Sequence, residues 1–308
     1  MPTITVGLDG SPESLAAADW AAREAVQREV PLRLLHAGAS SGSPYPPFPG
    51  VPAPDAIEAE RDWAAHLLRE AESRLRDRHP GLRITAEQSE KQAAPALLAG
   101  AEDTELLVLG SRGLGTVAGF LVGSVALAVV ARSERPVVLV RAGEHAADEY
   151  LPGAAGAAAA TAASSTPYRD VVLGLDLEEP GDAVVEFAFE TAARRAAGLR
   201  VVHGWNPAAV YGHAAAPDSE LDAEMAEETR LGLHALLRPW RDKFPGVEVR
   251  AQAVIGSAGR HLVHASRDAS LVVVGRKRRH TLVGGRVGPV THAVLQHASA
   301  PVAVVPHD

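Results

Sequence analysis

A chain of 308 residues, 46% of them hydrophobic, is long enough to bury the cores of two ordinary domains. Aromatics make up only 4%, so those cores must be built from Val, Leu and Ala, and the 30 basic against 38 acidic residues argue against a general nucleic-acid binder. The absence of cysteine excludes disulfides, thiolate catalysis and Cys-ligated zinc or iron–sulfur centres. The first residues, Met1-Pro2-Thr3-Ile4-Thr5-Val6, show no basic region and no long apolar core of the secretory kind. No apolar run reaches the ~18 residues of a membrane span. The expectation is a soluble, cytoplasmic protein without a membrane partner.

In chain order, residues 3–9 read as a strand. Residues 14–29 read as a helix with Ala17, Trp20, Ala21 and Ala25 on its inner face. Residues 32–37 form a second strand, followed by a proline-rich loop from Pro44 to Pro54 and a charged helix from Ala56 to about Arg78. Strand three is expected at 83–87, a short helix at 93–101 and strand four at 105–110. A glycine-rich loop leads to a helix ending near Arg132, and residues 137–141 close the set as strand five. Five strands separated by helices imply a parallel, doubly wound α/β sheet with right-handed crossovers.

The pattern then repeats. Val6-Gly7-Leu8-Asp9 recurs as Leu173-Gly174-Leu175-Asp176, and Leu32-Arg33-Leu34-Leu35-His36 as Leu199-Arg200-Val201-Val202-His203, both at an offset of 167 residues. Leu107-Val108-Leu109-Gly110 recurs as Val272-Val273-Val274-Gly275, and Arg135-Pro136-Val137-Val138 as Ala300-Pro301-Val302-Ala303, both at an offset of 165. Two copies of one domain are expected, at residues 1–141 and 168–308. Residues 142–167, rich in Ala, Gly and Ser, lack amphipathic periodicity and read as a flexible linker.

The stretch that carries chemistry runs from Gly110 to Ser124. A short apolar strand precedes it, and a helix begins after it with Gly123-Ser124 at the capping position. Glycines let successive backbone N–H groups face one concavity, and a helix N-terminus adds unpaired donors and a positive dipole end. The Walker pattern is excluded because no Lys follows the last glycine, and Gly113-x-Gly115-x-x-Ala118 fits the dinucleotide fingerprint only loosely. In a 3-2-1-4-5 strand order the winding reverses between strands one and four, where ligands bind. That places Asp9-Gly10-Ser11 and the 110–124 loop on opposite lips of one crevice.

The spacing Gly110-x-x-Gly113, nine residues, then Gly123-Ser124, in this strand–loop–helix setting, resembles the ATP-binding loop of the universal stress protein family. The resemblance covers both copies and implies a tandem protein of two five-stranded domains of the flavodoxin or Rossmann type, adenine nucleotide alpha hydrolase-like. It implies that Asp9 meets the adenine or ribose end of ATP and that the Ala37-Gly38 turn offers backbone contacts to the base. Gly110, Ser111, Arg112, Gly113, Gly123, Ser124 and Val125 would hold ribose and phosphates. Mg2+ is expected to accompany those phosphates, since no carboxylate cluster demands it independently. In the family, fifth strands pair between domains, which here implies intramolecular pairing and permits a homodimer.

The second copy departs from the pattern. Gly275 and Gly288 keep the places of Gly110 and Gly123, and Asp176 keeps that of Asp9, but Gly113 becomes Arg278 and Ser124 becomes Pro289. Proline has no N–H to offer a phosphate. Gly10-Ser11 becomes Leu177-Glu178. The second site is expected to be impaired or altered. Arg276, Lys277, Arg278, Arg279 and Arg286 cluster there, and they either restore affinity for an anion or form a solvated basic loop.

Other motifs carry less. Gly38-Ala39-Ser40-Ser41-Gly42 matches a nucleophile elbow in letters, yet a proline-rich loop follows where a helix is needed. His261 and His264 stand three apart on a predicted helix without a third ligand, and read as surface or capping residues. His36 and His203 occupy equivalent strand positions, so a shared structural role is expected. No nucleophile or general base stands out near the loop. The expected function is an ATP-binding stress-response sensor or regulator, with at most slow hydrolysis. The alternatives are an ATP-hydrolysing or adenylyl-transfer enzyme, whose His-x-Gly-His or Ser-Gly-Gly-x-Asp loops do not occur, and an interaction module with an empty crevice.

Overall fold

The computed structural model describes residues 2–38, 53–111, 122–151, 167–205, 219–278 and 287–308. These fall into two compact units, one up to Glu144 and the other from His145. No described helix is long and apolar enough to cross a membrane.

The first unit runs β1 (Ile4–Leu8), α1 (Pro12–Arg28), β2 (Leu32–Ala37), α2 (Ala53–Arg78), β3 (Ile84–Ser89), α3 (Ala93–Glu102), β4 (Leu106–Ser111), α4 (Ser124–Arg132) and β5 (Val137–Arg141). Its sheet is parallel, with β1 held between β2 and β4, β3 outside β2 and β5 beside β4. The winding therefore reverses between β1 and β4. The central strands are buried on both faces, which is why β4 reads as a continuous apolar run, Leu106 to Leu109.

Helix α1 starts two residues earlier than its apolar periodicity suggests. Ser11 caps it, its Oγ accepting from the Ser14 N–H at 3.2 Å, and Pro12 occupies the first turn, where its missing N–H costs nothing. Ala17, Trp20, Ala21 and Ala25 are all buried, as the periodicity predicts. At the other end Glu29 takes the left-handed conformation at φ 57° and closes the helix.

The second unit repeats the plan: β6 (Val171–Gly174), α5 (Asp182–Arg194), β7 (Leu199–Trp205), α6 (Ser219–Lys243), β8 (Val249–Ile255), α7 (Ala258–Ala265), β9 (Leu271–Lys277), α8 (Pro289–His297) and β10 (Val302–His307). Its sheet is again parallel, β6 lying between β7 and β9. The repeat extends to strand register: Ile4 opposes Leu32 and Leu106, as Val171 opposes Leu199 and Leu271. One helix differs. α5 begins at Asp182, which aligns with Leu15, so the turn that opens α1 is replaced by a bend in which Gly181 takes φ +58°. Here the buried Phe189 stacks with the half-buried Trp240 and Phe244.

Part of the alanine-rich stretch between the copies is structured. Residues 146–149 form a 3-10 turn, and Tyr150 makes an antiparallel bridge with Tyr168. Glu149 is buried and pairs with buried Arg195 at 3.6 Å, while Arg195 also donates to the Ser270 carbonyl and lies over the Tyr168 ring. These few polar anchors hold the backbone where average composition signals a linker.

Candidate functional site

In the first unit Asp9 ends β1 at the reversal point. Its Oδ1 accepts from both the N–H and the hydroxyl of Ser11, at 3.0 and 2.5 Å. Asp9 is thus not the helix cap; it orients the serine that is. Burial pushes the carboxyl up, but the bonds from Ser11, with a smaller contribution from Ser14, outweigh it and leave Asp9 below the ordinary value. Asp9 is ionised at neutral pH and keeps Oδ2 for another donor.

Gly10 has φ +80°, and a Cβ there would stand 3.0 Å from the Trp63 ring. Trp63, half exposed on α2, meets His36 edge-on at 5.6 Å, and the His36 Nδ1 donates to the Leu8 carbonyl at 2.7 Å. The equivalent His203 donates to the Leu175 carbonyl at 2.9 Å, so both histidines lock strand two to strand one.

Across the reversal point, Gly110 ends β4 against the start of α1. A Cβ there would lie 2.6 Å from the backbone of Glu13 and Ser14. This glycine permits close strand–helix approach whatever binds beside it. Gly123 differs: it is the N-cap of α4, with ordinary φ −56°, and a Cβ on it would meet none of the described residues within 4 Å. Among the described residues no side chain caps the first N–H groups of this helix.

Asp9, Ser11, Ala37, Gly110, Gly123, Ser124 and Val125 together line one crevice of about 230 Å³. Gly10 and Gly38 flank it, the Gly38 N–H being engaged by the Ser89 carbonyl at 2.9 Å. Ser111 is buried in the sheet opposite Arg141 instead of facing the crevice. Arg112 and Gly113 lie outside the described residues, as do most of the apparent nucleophile elbow and Arg279 and Arg286. Glu13, Ser14, Ala93 and Leu97 also line the crevice. Sequence motifs missed them because they come from helix starts that the topology, not a local pattern, brings together.

The second unit has the corresponding cavity, and it is larger, about 580 Å³. Asp176, Gly275, Arg276 and Gly288 line it. Arg278 instead donates to the Asp308 carboxylate at 3.2 Å, and its N–H binds the His307 carbonyl. Asp176 accepts from the Glu178 N–H at 3.1 Å, as Asp9 does from Ser11, but without the hydroxyl bond. The extra volume follows from the missing first turn of α5. Where Gly110 meets the α1 backbone, Gly275 meets side chains, the His307 imidazole 2.8 Å and Val184 3.3 Å from its notional Cβ. At the start of α8, a Cβ on Gly288 would again meet none of the described residues within 4 Å, and Pro289 follows.

Among the described residues no group of three or more His, Asp or Glu could hold a metal ion. The His261 Nε2 lies 3.0 Å from the Ile255 carbonyl, a local backbone contact in the strand–helix connection.

The universal stress protein family model matches residues 1–141 and 167–306. A universal stress protein of Mycobacterium tuberculosis is 32% identical over 306 residues, covering 98% of this chain and 96% of that protein. One from Mycolicibacterium smegmatis is 29% identical over the same length. The crystal structure of a universal stress protein from Archaeoglobus fulgidus superposes with a TM-score of 0.67 over 99% of this chain and 98% of that one, at 15% identity, a likeness of fold. With family-model matches spanning both repeats and a relative matched over nearly its full length, the chain belongs to the universal stress protein family.

Proposed function

We propose that the first domain is an ATP-binding module through which the protein senses or relays nucleotide status in a stress response, with its main chain, not charged side chains, gripping the phosphates. The observation that carries this is Gly123: an N-cap glycine with no conformational need to be glycine, whose missing side chain leaves space clear of the described residues at a helix start that no described side chain caps, lining the crevice. Donors at such a position bind anions through the unpaired N–H groups and the helix dipole. Across the crevice, the ionised Asp9 carboxylate is suited to accept from a ribose hydroxyl or base amine. The described residues supply no carboxylate cluster for Mg2+, so the cation enters with the phosphates it neutralises. The Ser11 hydroxyl that bonds Asp9 is spent on capping α1, which supports binding and release over efficient turnover. Nucleotide analysis of the purified protein after denaturation tests this. ATP is expected; hydrolysis products alone would point to an enzyme, and no nucleotide, with no uptake on adding ATP, to an interaction module.

A further inference from the structure

The second cavity keeps one half of a nucleotide site and has changed the other. Its retained half is the sugar and base end: Asp176 at the tip of β6 and His203 at the end of β7. The Asp176 Oδ1 is satisfied by the Glu178 N–H, while Oδ2 makes no hydrogen bond among the described residues. The His203 Nδ1 faces a carbonyl and must carry the proton, so Nε2 is a hydrogen-bond acceptor. The polar handles at this end therefore accept, and suit a ligand rich in hydroxyl and amine donors.

The phosphate end is altered on three counts. Pro289 removes the first N–H of the helix start. The buried Thr291 hydroxyl, in the first turn of α8, is committed to the Gly275 carbonyl at 2.8 Å. The described cations are already engaged: Lys277 pairs with Glu179 and Arg278 with Asp308, Glu179 itself lines the cavity, and Arg276, which also lines it, is buried with interactions of its own. A triphosphate entering here would have to displace existing ion pairs, and desolvating unmatched anionic charge is costly. The remaining wall is apolar, from Val184, Val202, Leu262 and Val274, and the volume lies within the usual range for small-molecule sites.

We propose that the second-domain cavity binds an uncharged nucleoside, base and sugar without phosphate. The ligand class rests on the nucleotide reading of the first domain, carried over through the repeat. Calorimetry on the full chain tests it, with Gly123→Leu closing the first crevice and Gly288→Leu the second. Neither substitution meets an atom of the described residues within 4 Å at the Cβ. Gly123→Leu is expected to bind one adenosine per chain and to bind ATP at least about tenfold more weakly than adenosine, and adding Gly288→Leu is expected to abolish both. In the Gly123→Leu background Asp176→Ala should weaken adenosine about tenfold, and 2′,3′-dideoxyadenosine should be insensitive to that change. The proposal is overturned if Gly123→Leu takes up no adenosine, binds ATP as tightly as adenosine, or is indifferent to Asp176→Ala. Failure of the parent to bind ATP at a Gly123-dependent site would count against the first-domain assignment instead, and the two failures are read from different proteins.

Discussion

The two crevices are built on equivalent strand ends with the same register, yet their volumes are about 230 and 580 Å³. The difference lies in one helical turn. In the first domain the Ser11-Pro12 start brings the α1 backbone onto Gly110. In the second, Glu178-Glu179-Pro180-Gly181 cannot repeat that cap, α5 begins later, and the His307 side chain stands in the gap. A short change at a helix cap thus reshapes a crevice without disturbing the sheet. Local capping chemistry, not strand order, sets what each copy can hold.

The largest expected effect separates the units at their edges. Glu149→Ala leaves Arg195 buried without its carboxylate and should cost about 3 kcal/mol or more, confined to the second unit's unfolding in a urea titration. Next comes the Gly110 and Gly275 pair. Gly110→Ala forces a methyl into the α1 backbone and should destabilise by about 1–3 kcal/mol. Gly275→Ala meets the side chains of His307 and Val184 rather than backbone and should cost less than half as much by the same titration. Equal costs would mean that the helix starts do not differ as described. Gly10→Ala, at φ +80° and against Trp63, should cost about 1 kcal/mol in thermal unfolding, with a change in Trp63 fluorescence.

The smallest effect is on pH. The folded Asp9 carboxyl sits below its ordinary value of 3.8, so its contribution is complete above the unfolded value and is lost as pH falls through the lower, folded one. Acid unfolding of the first domain should therefore show an extra loss beginning near the ordinary carboxylate pKa, and Asp9→Asn should remove it. An unchanged acid limb in Asp9→Asn would mean the Ser11 bonds do not persist in solution.

Much of the fold was legible in the sequence because the chain states it twice. Strand positions agree to within two residues, since fully buried parallel strands are written as short Val and Leu runs between turn residues. The Asp9 and Gly123 lips were legible because the topology of such a sheet fixes where its ligand edge lies. What escaped was set by isolated contacts. The Gly110 requirement is a packing demand from a helix 97 residues earlier, which no local motif encodes. Ser111 belongs to β4 because the strand runs two residues beyond its apolar core. Glu149 and Tyr150 lie beside an alanine run whose composition hides two well-placed anchors. The volume difference was written in Pro180-Gly181, a turn signal where the first copy has a helix start.

The account turns on whether main-chain donors at the start of α4 bind phosphates in the first domain. Titrating ATP into the parent and into Gly123→Leu at matched ionic strength measures this most directly. One ATP per parent chain, lost by about 100-fold or more in a variant of unchanged thermal stability, is the predicted result. Undiminished ATP binding by a folded Gly123→Leu would contradict it.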